Sequence, residues 1–248
     1  MATRKRKATL PEKSTIVTIA PSDERLVALN RDHHVRMHRD SSSRSTNSAA
    51  NVCNKDANSR TDILNAMIGS ASRFGITSSG GDVLELGAGR GGDRTTLESK
   101  LEASYVGIEV VPEIAEISGS VCCSIETLPA EWSGRFKWVY SRHVMEHVID
   151  CDAAIANLAR VTTDDAIIGA VTPHYFPDPE PAHITQLRVT EWVDAYRRHG
   201  FVATYATTLT HNCLEAHIVV VKRSALEKKL SDTSLSESER TVIKNMLG

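Results

Sequence analysis

The sequence has no Cys-x-x-Cys pair. Its five cysteines, Cys53, Cys122, Cys123, Cys151 and Cys213, form an odd set. That argues against a disulfide framework and against a structural zinc site of paired thiolates. No apolar run approaches the roughly 20 residues that a membrane-spanning helix needs. The basic N-terminus has no apolar segment behind it, so no secretory signal is expected. No internal repeat is present. A disulfide scaffold, a membrane protein and a repeat array are excluded. A reducing, cytoplasmic setting with no membrane partner is the expectation.

Charge is lopsided although the net is only −2. Residues 1–60 carry 12 Lys/Arg against 6 Asp/Glu, and the remainder carries 17 against 25. A basic arm on an acidic body reads most simply as a solvated tail, with nucleic acid contact as the other reading. The run Ser41-Ser42-Ser43-Arg44-Ser45-Thr46-Asn47-Ser48 cannot bury enough apolar surface to offset its ordering entropy. Residues 1–58 are therefore expected to be a mostly disordered arm, with a short helix near 23–28.

From Thr61 a helical pattern starts. Ile63, Leu64, Met67 and Ile68 share one face, and Gly75 is the expected stop. The chain then alternates. Strands are predicted at 82–86, 105–109, 121–124, 136–141, 166–172, 202–209 and 215–222. Helices are predicted at 93–101, 112–118, 143–148, 152–161 and 190–199. Five β-then-α steps imply an α/β fold, a mainly parallel seven-stranded sheet with helices on both faces. The last two strands have only a short turn between them, so they form an antiparallel C-terminal pair. The catalytic domain is placed at 59–223, and 224–248 is read as a helical appendage or tail.

The most informative segment is Val83-Leu84-Glu85-Leu86-Gly87-Ala88-Gly89-Arg90-Gly91-Gly92-Asp93. It reads as a buried strand, a glycine turn and the start of a helix. Such a turn lets a ligand press against bare backbone. Gly87, Gly89 and Gly92 satisfy the dinucleotide spacing, so a pyrophosphate ligand is one option. Glu85 and Asp93 speak against it. Carboxylates on either side of the turn repel a pyrophosphate and suit a cation such as the sulfonium of S-adenosylmethionine (SAM). Glu109 ends the second strand about 20 residues on, where an acid holds a ribose diol in either kind of nucleotide site.

Glu85, Gly87, Gly89 and Gly91 resemble motif I of the class I SAM-dependent methyltransferases, (D/E)-x-G-x-G-x-G. The resemblance covers roughly residues 61–223. It implies a Rossmann-like sheet of order 3-2-1-4-5-7-6 and SAM as cofactor. It makes Glu109 the ribose ligand, with Val110 beside the adenine. Ala88 lies within the turn. Glu126 becomes the acid near the adenine edge, with Ile125 or Thr127 against the ring. Ser141 closes the fourth strand beside the methionine part. Gly89-Arg90-Gly91-Gly92-Asp93 is also similar to the mRNA cap guanine-N7 enzymes, but the later aromatic motifs of that family are absent.

A second cluster follows. If 143–148 is helical, His143, Glu146 and His147 fall on one face. His183 comes downstream. This resembles the small-RNA 3′-terminal 2′-O-methyltransferases and the O-methyltransferases of quinone synthesis, which show Glu-x-x-Glu-His here. In the RNA enzymes a later His completes a divalent cation site. His143 stands where the first Glu is expected. Histidines with one carboxylate favour Zn²⁺, Mn²⁺ or Fe²⁺ over Mg²⁺. His143, Glu146 and His147 are thus the candidate catalytic residues, and with His183 the candidate metal ligands. A metal-free alternative makes His143 or His147 a base or substrate contact. A third makes the segment a structural brace.

The loop from Thr172 to Pro181 holds four prolines and cannot be helical. His174, Tyr175 and Phe176 there, with His183, are candidate substrate contacts. The expected reaction is methyl transfer to an oxygen or nitrogen of a small molecule or a nucleic acid. An RNA cap or RNA 2′-O-methyltransferase is the alternative, and a catalytically silent SAM-binding protein the other.

Overall fold

A computed structural model of the chain describes residues 46–76, 79–174, 182–210 and 214–248, together with Asp32 and Val35; for 46–57 only the backbone is described. The helix expected near 23–28 lies outside the described residues. The first element is a 29-residue helix, α1 (Thr46–Phe74). It begins well before Thr61, so the end of the 1–58 segment is helical, not unstructured. It ends as expected. Gly75 and Ile76 donate back to Ser72 O and Ala71 O, the pairing that closes a helix C-terminus.

Seven strands follow: β1 (Asp82–Leu86), β2 (Ser104–Glu109), β3 (Val121–Cys122), β4 (Phe136–Arg142), β5 (Thr162–Pro173), β6 (Phe201–Thr210) and β7 (Leu214–Lys222). Between them run α2 (Arg94–Leu101), α3 (Pro112–Ser118), α4 (Cys151–Val161) and α5 (Val189–Arg198). The sheet order is β3-β2-β1-β4-β5-β7-β6. The first five strands pair in parallel, and β7 runs antiparallel between β5 and β6. This is the order that the methyltransferase resemblance implies. The chain reverses its direction of travel between β1 and β4. Ligands of open α/β sheets sit in the crevice at such a switch point, beyond the carboxyl ends of the strands.

The central strands are apolar on both faces because helices cover both. On one face Leu84, Leu86, Val139 and Ile168 pack against Ile155 and Leu158 of α4 and Trp192 and Tyr196 of α5. On the other, Val83, Trp138, Ile167 and Val219 pack against Ile63 and Met67 of α1 and Leu97 of α2. Gly169 lets α1 approach β5, since a Cβ there would collide with Met67.

The segment 224–248 is not a loose tail. It supplies most of α6 (Arg223–Leu230) and all of α7 (Glu237–Leu247). Ala225, Leu226 and Ile243 join the α1 side of the core. Ser236 caps α7 by accepting from Glu239 N–H, while the Glu239 carboxylate accepts from Ser236 N–H at 2.8 Å. The helix expected over 143–148 is a different structure: one 3₁₀ turn, Met145–His147, preceded by His143 at φ +54°.

Candidate active site

The glycine turn leaves β1 at the switch point. Gly87 and Gly89 have φ of +60° and +52°, a left-handed geometry that costs other L-residues energy. A Cβ on Gly87 would come within 2.5 Å of Val144 Cγ2, so the segment after β4 presses on the turn. Ala88 N–H donates to Ile108 O at 2.8 Å, tying the turn to β2. Gly91 N–H returns to Ala88 O at 2.8 Å.

Glu109 faces this turn from the end of β2. Its Oε2 accepts from Gly89 N–H (3.1 Å) and its Oε1 from Val110 N–H (2.8 Å) and Val111 N–H (3.2 Å). Burial pushes its pKa up, and the three N–H donors work against that rise. Three backbone bonds hold the carboxylate in one orientation at the mouth of the crevice.

Glu85 and Asp93 lie on the α1 side of the sheet. Burial pushes the Glu85 carboxyl up to about 8, against the Tyr105 hydroxyl that donates to its Oε2 at 2.5 Å. Asp93 is a charge hub. It pairs with Arg60 of α1 and lies 3.5 Å from Arg142 Nε, and Tyr140 O–H donates to it at 2.9 Å. The Ser141 hydroxyl is buried at the end of β4, with no hydrogen-bond partner among the described residues.

Glu126 is engaged by the protein itself. Ile149 N–H and Asp150 N–H donate to its Oε1 at 2.9 and 3.4 Å, and the Ser124 hydroxyl donates to its Oε2. It braces the connection into α4.

The second cluster assembles differently from a helical face. Glu146, His147 and His183 bring ligand atoms within 4.8 Å of one another. His147 Nδ1–H donates to Ala182 O at 2.9 Å, which leaves the lone pair on Nε2, 4.0 Å from Glu146 Oε1. The His183 ring stands edge-on to that of His147, 4.9 Å between centroids. Thr185 N–H donates to Glu146 O (2.9 Å) and Thr185 O–H to Val148 O (2.7 Å), stitching the later segment to the turn. Glu146 is 3% exposed, and neither carboxylate oxygen takes a hydrogen bond from a described residue.

His143 stands outside that trio. Its left-handed backbone swings the ring so that Nε2–H donates to Glu215 Oε1 at 3.0 Å, with Nδ1 3.5 Å from Glu146 Oε1. Burial alone would lower its pKa, but the two carboxylates outweigh it and push the pKa up to about 9. His143 thus lies between two carboxylates, outside the three residues whose ligand atoms converge. His174 follows β5, and its N–H donates to Leu214 O at 2.8 Å. Tyr175 and Phe176 lie outside the described residues.

A family model for the methyltransferase domain matches residues 62–230. The chain belongs to the methyltransferase domain family. Its fold is that of the class I SAM-dependent methyltransferases. No curated protein matches it in a sequence comparison. Solved structures do. The 1,6-didemethyltoxoflavin-N1-methyltransferase of Burkholderia thailandensis, solved with 1,6-didemethyltoxoflavin and S-adenosylhomocysteine, is 14% identical with a TM-score of 0.59, over 84% of this chain and 93% of that one. The putative methyltransferase in complex with the Haloferax volcanii Trm112 activator is 13% identical, TM-score 0.51, over 67% and 94%. The [4+2]-cyclase SpnF is 14% identical, TM-score 0.54, over 67% and 81%. At these identities the likeness is one of fold.

Arg60, beside the glycine turn, carries no local sequence signal. Arg60 sits in a segment whose composition resembles a solvated arm. Glu215 and His217 did offer one: two polar residues, two apart, at the head of the apolar run Ile218-Val219-Val220-Val221. Period-two polarity pointing into a buried strand is a sign of an internal charge site. No helix of the described residues is long and apolar enough to cross a membrane.

Proposed function

We propose that the chain is an active SAM-dependent methyltransferase whose acceptor is an oxygen or nitrogen nucleophile of a small molecule. One observation carries the cofactor half of this reading: the Glu109 carboxylate, locked by Gly89, Val110 and Val111 opposite the glycine turn. It suits a ribose diol, whose two hydroxyls donate to one carboxylate. Ala88, Gly87 and Gly91 provide the close backbone, Val110 flanks the adenine, and Ser141 lines the methionine side. Glu126 contributes by bracing the adenine-side loop. Asp93 and Glu109 are buried acids on either side of the turn, which suits a ligand with sulfonium and ammonium charges.

In the transfer, a lone pair on the acceptor attacks the methyl carbon in line with the C–S bond. That bond breaks, its electrons pass to sulfur, and the neutral thioether leaves. Proximity and alignment supply most of the acceleration. A hydroxyl acceptor must also lose its proton, and His147, whose Nδ1–H is engaged by Ala182 O, is the group suited to take it at Nε2.

The residues Glu146, His147 and His183 fit a divalent cation. A buried carboxylate without hydrogen bonds beside an imidazole fixed in the Nε2 lone-pair tautomer is a donor set of the Zn²⁺, Mn²⁺ or Fe²⁺ type. Such an ion, when bound, would lower the pKa of a coordinated hydroxyl. This donor set also favours a second reading, RNA 2′-O-methylation, because the small-RNA enzymes resembled above hold their cation at this place. His174 and His183 lie at the edge where either acceptor would approach.

Calorimetry with SAM, S-adenosylhomocysteine and NAD tests the cofactor. Binding of NAD but not SAM would overturn the proposal. Labelled methyl transfer into small-molecule and RNA fractions of an extract separates the two acceptor classes. Absence of label in every fraction would leave a silent SAM-binding protein.

A further inference from the structure

The sheet order puts β4 and β7 on either side of β5, and β7 runs antiparallel. The end of β4 and the start of β7 therefore meet at one edge. There His143 follows β4, its N–H donating to Val171 O of β5 at 2.8 Å. Its ring reaches past β5 to Glu215, which is paired with Pro173 in register. Glu215 is 2% exposed, and its second oxygen accepts from His217 Nε2–H at 3.0 Å. His217 is fully buried, two residues along the same strand face. The result is a chain of groups, His217 to Glu215 to His143, that ends beside Glu146.

Such a chain is expensive in an apolar sheet. A buried ion pair seldom stabilises a fold relative to well-packed apolar residues, and a left-handed non-glycine residue adds a further cost. What the chain does for Glu146 is visible in the distances. His143 has one carboxylate on each side, and it stands closer to Glu215 (3.0 Å) than to Glu146 (3.5 Å). With the ring nearer to Glu215, neither Glu146 oxygen takes a hydrogen bond from a described residue. Among the described residues Glu215 is the acceptor on the Nε2 side, and its removal is expected to let the imidazole close onto Glu146.

We propose that Glu215, backed by His217, is a positioning residue: it holds His143 off Glu146 and so keeps the Glu146 carboxylate available to whatever the active face binds. The inference rests on the reading of Glu146 as part of that face. It extends the site to β7, a strand that motif-based reading leaves out.

The test uses the full chain and two readouts. Imidazole ¹⁵N resonances of His143 report its ring contacts directly. In Glu215→Ala the Nε2 resonance should lose its charge-assisted bond and the Nδ1 resonance should move toward that of a fully hydrogen-bonded donor; Glu215→Asp should restore part of the native pattern. His143 resonances that stay at their wild-type positions in Glu215→Ala overturn the proposal, whether or not the site binds a metal. The second readout is Mn²⁺ affinity by calorimetry. Glu215→Ala should weaken it by about tenfold, as loss of a supporting partner does elsewhere. His143→Ala should restore it in the double variant, because the obstructing ring is gone. A double variant as weak as Glu215→Ala alone means that Glu215 does not act through His143, and overturns the proposal. If wild-type protein binds no Mn²⁺, the metal reading fails while the resonances still decide the role of Glu215. SAM affinity, unchanged in all of these variants, shows that the fold is intact.

Discussion

Arg60 of α1 is ion-paired with Asp93, the residue that follows the glycine turn and heads α2. Through this pair the helix that precedes the first strand is fastened to the cofactor crevice. Asp93 also receives Tyr140 O–H and faces Arg142. Its charge is thus balanced from two elements, α1 and β4.

Arg60→Ala should destabilise the protein by about 1–3 kcal/mol, because it leaves a buried carboxylate with fewer donors. Urea unfolding measures this. Arg60→Lys should recover only part of the loss, since an ammonium lacks the planar fork of the guanidinium.

Glu109→Ala should weaken SAM binding by about tenfold or more through loss of a charge-assisted acceptor. Calorimetry on the purified chain decides it. The variant's thermal midpoint separates this effect from unfolding, and an unchanged affinity in a folded variant would move the ribose site elsewhere.

Glu85 links stability to pH. Its folded pKa of about 8 stands above the ordinary 4.5. Below the lower value the group is protonated in both states and contributes nothing. Between the two values the unfolded chain ionises it and the folded chain does not, so stability falls as pH rises, with the full loss in place above the upper value. Glu85→Gln removes the ionisation while keeping an acceptor for Tyr105. Its stability should match the wild type at pH 4 and exceed it at pH 9 by a few kcal/mol, on the order of what such a pKa difference implies. Denaturant titrations across that range would show parallel curves if the assignment were wrong.

Gly169→Ala should cost about 1–3 kcal/mol by overpacking, since the new Cβ meets Met67 and Ile63. Met67→Ala alone should cost about 2–5 kcal/mol through the cavity it opens. The double variant should lose less than the sum, because the added methyl enters the space the truncation leaves. Strict additivity would mean that α1 does not seat on Gly169.

Alanine at Glu146, His147 and His183 together should abolish divalent metal uptake, read by elemental analysis, and leave SAM affinity unchanged. Metal retained by that variant would place any ion elsewhere.

Much of this was legible in the sequence because it is local. The glycine turn, the strand-end acid Glu109 and the alternation of strands and helices depend on residues near one another along the chain. The hairpin of β6 and β7 announced itself through a connection too short for a crossover helix. The helix over 143–148 was misread for a local reason as well: helical spacing assumes helical backbone, and His143 adopts a left-handed conformation instead. The start of α1 and the burial of α6 and α7 are not legible because weak amphipathic patterns look alike in tails and in covering helices.

What the sequence by itself determined is the class of the fold, the glycine turn after β1 and the carboxylate facing it, since periodicity and short-range spacing encode these directly. Only the tertiary structure decided how the charges pair. His143 meets Glu215 across 72 residues of sequence, and Arg60 finds Asp93 only when α1 lies over the sheet. Such pairings follow from strand order and helix docking, which bring together side chains that no local pattern relates.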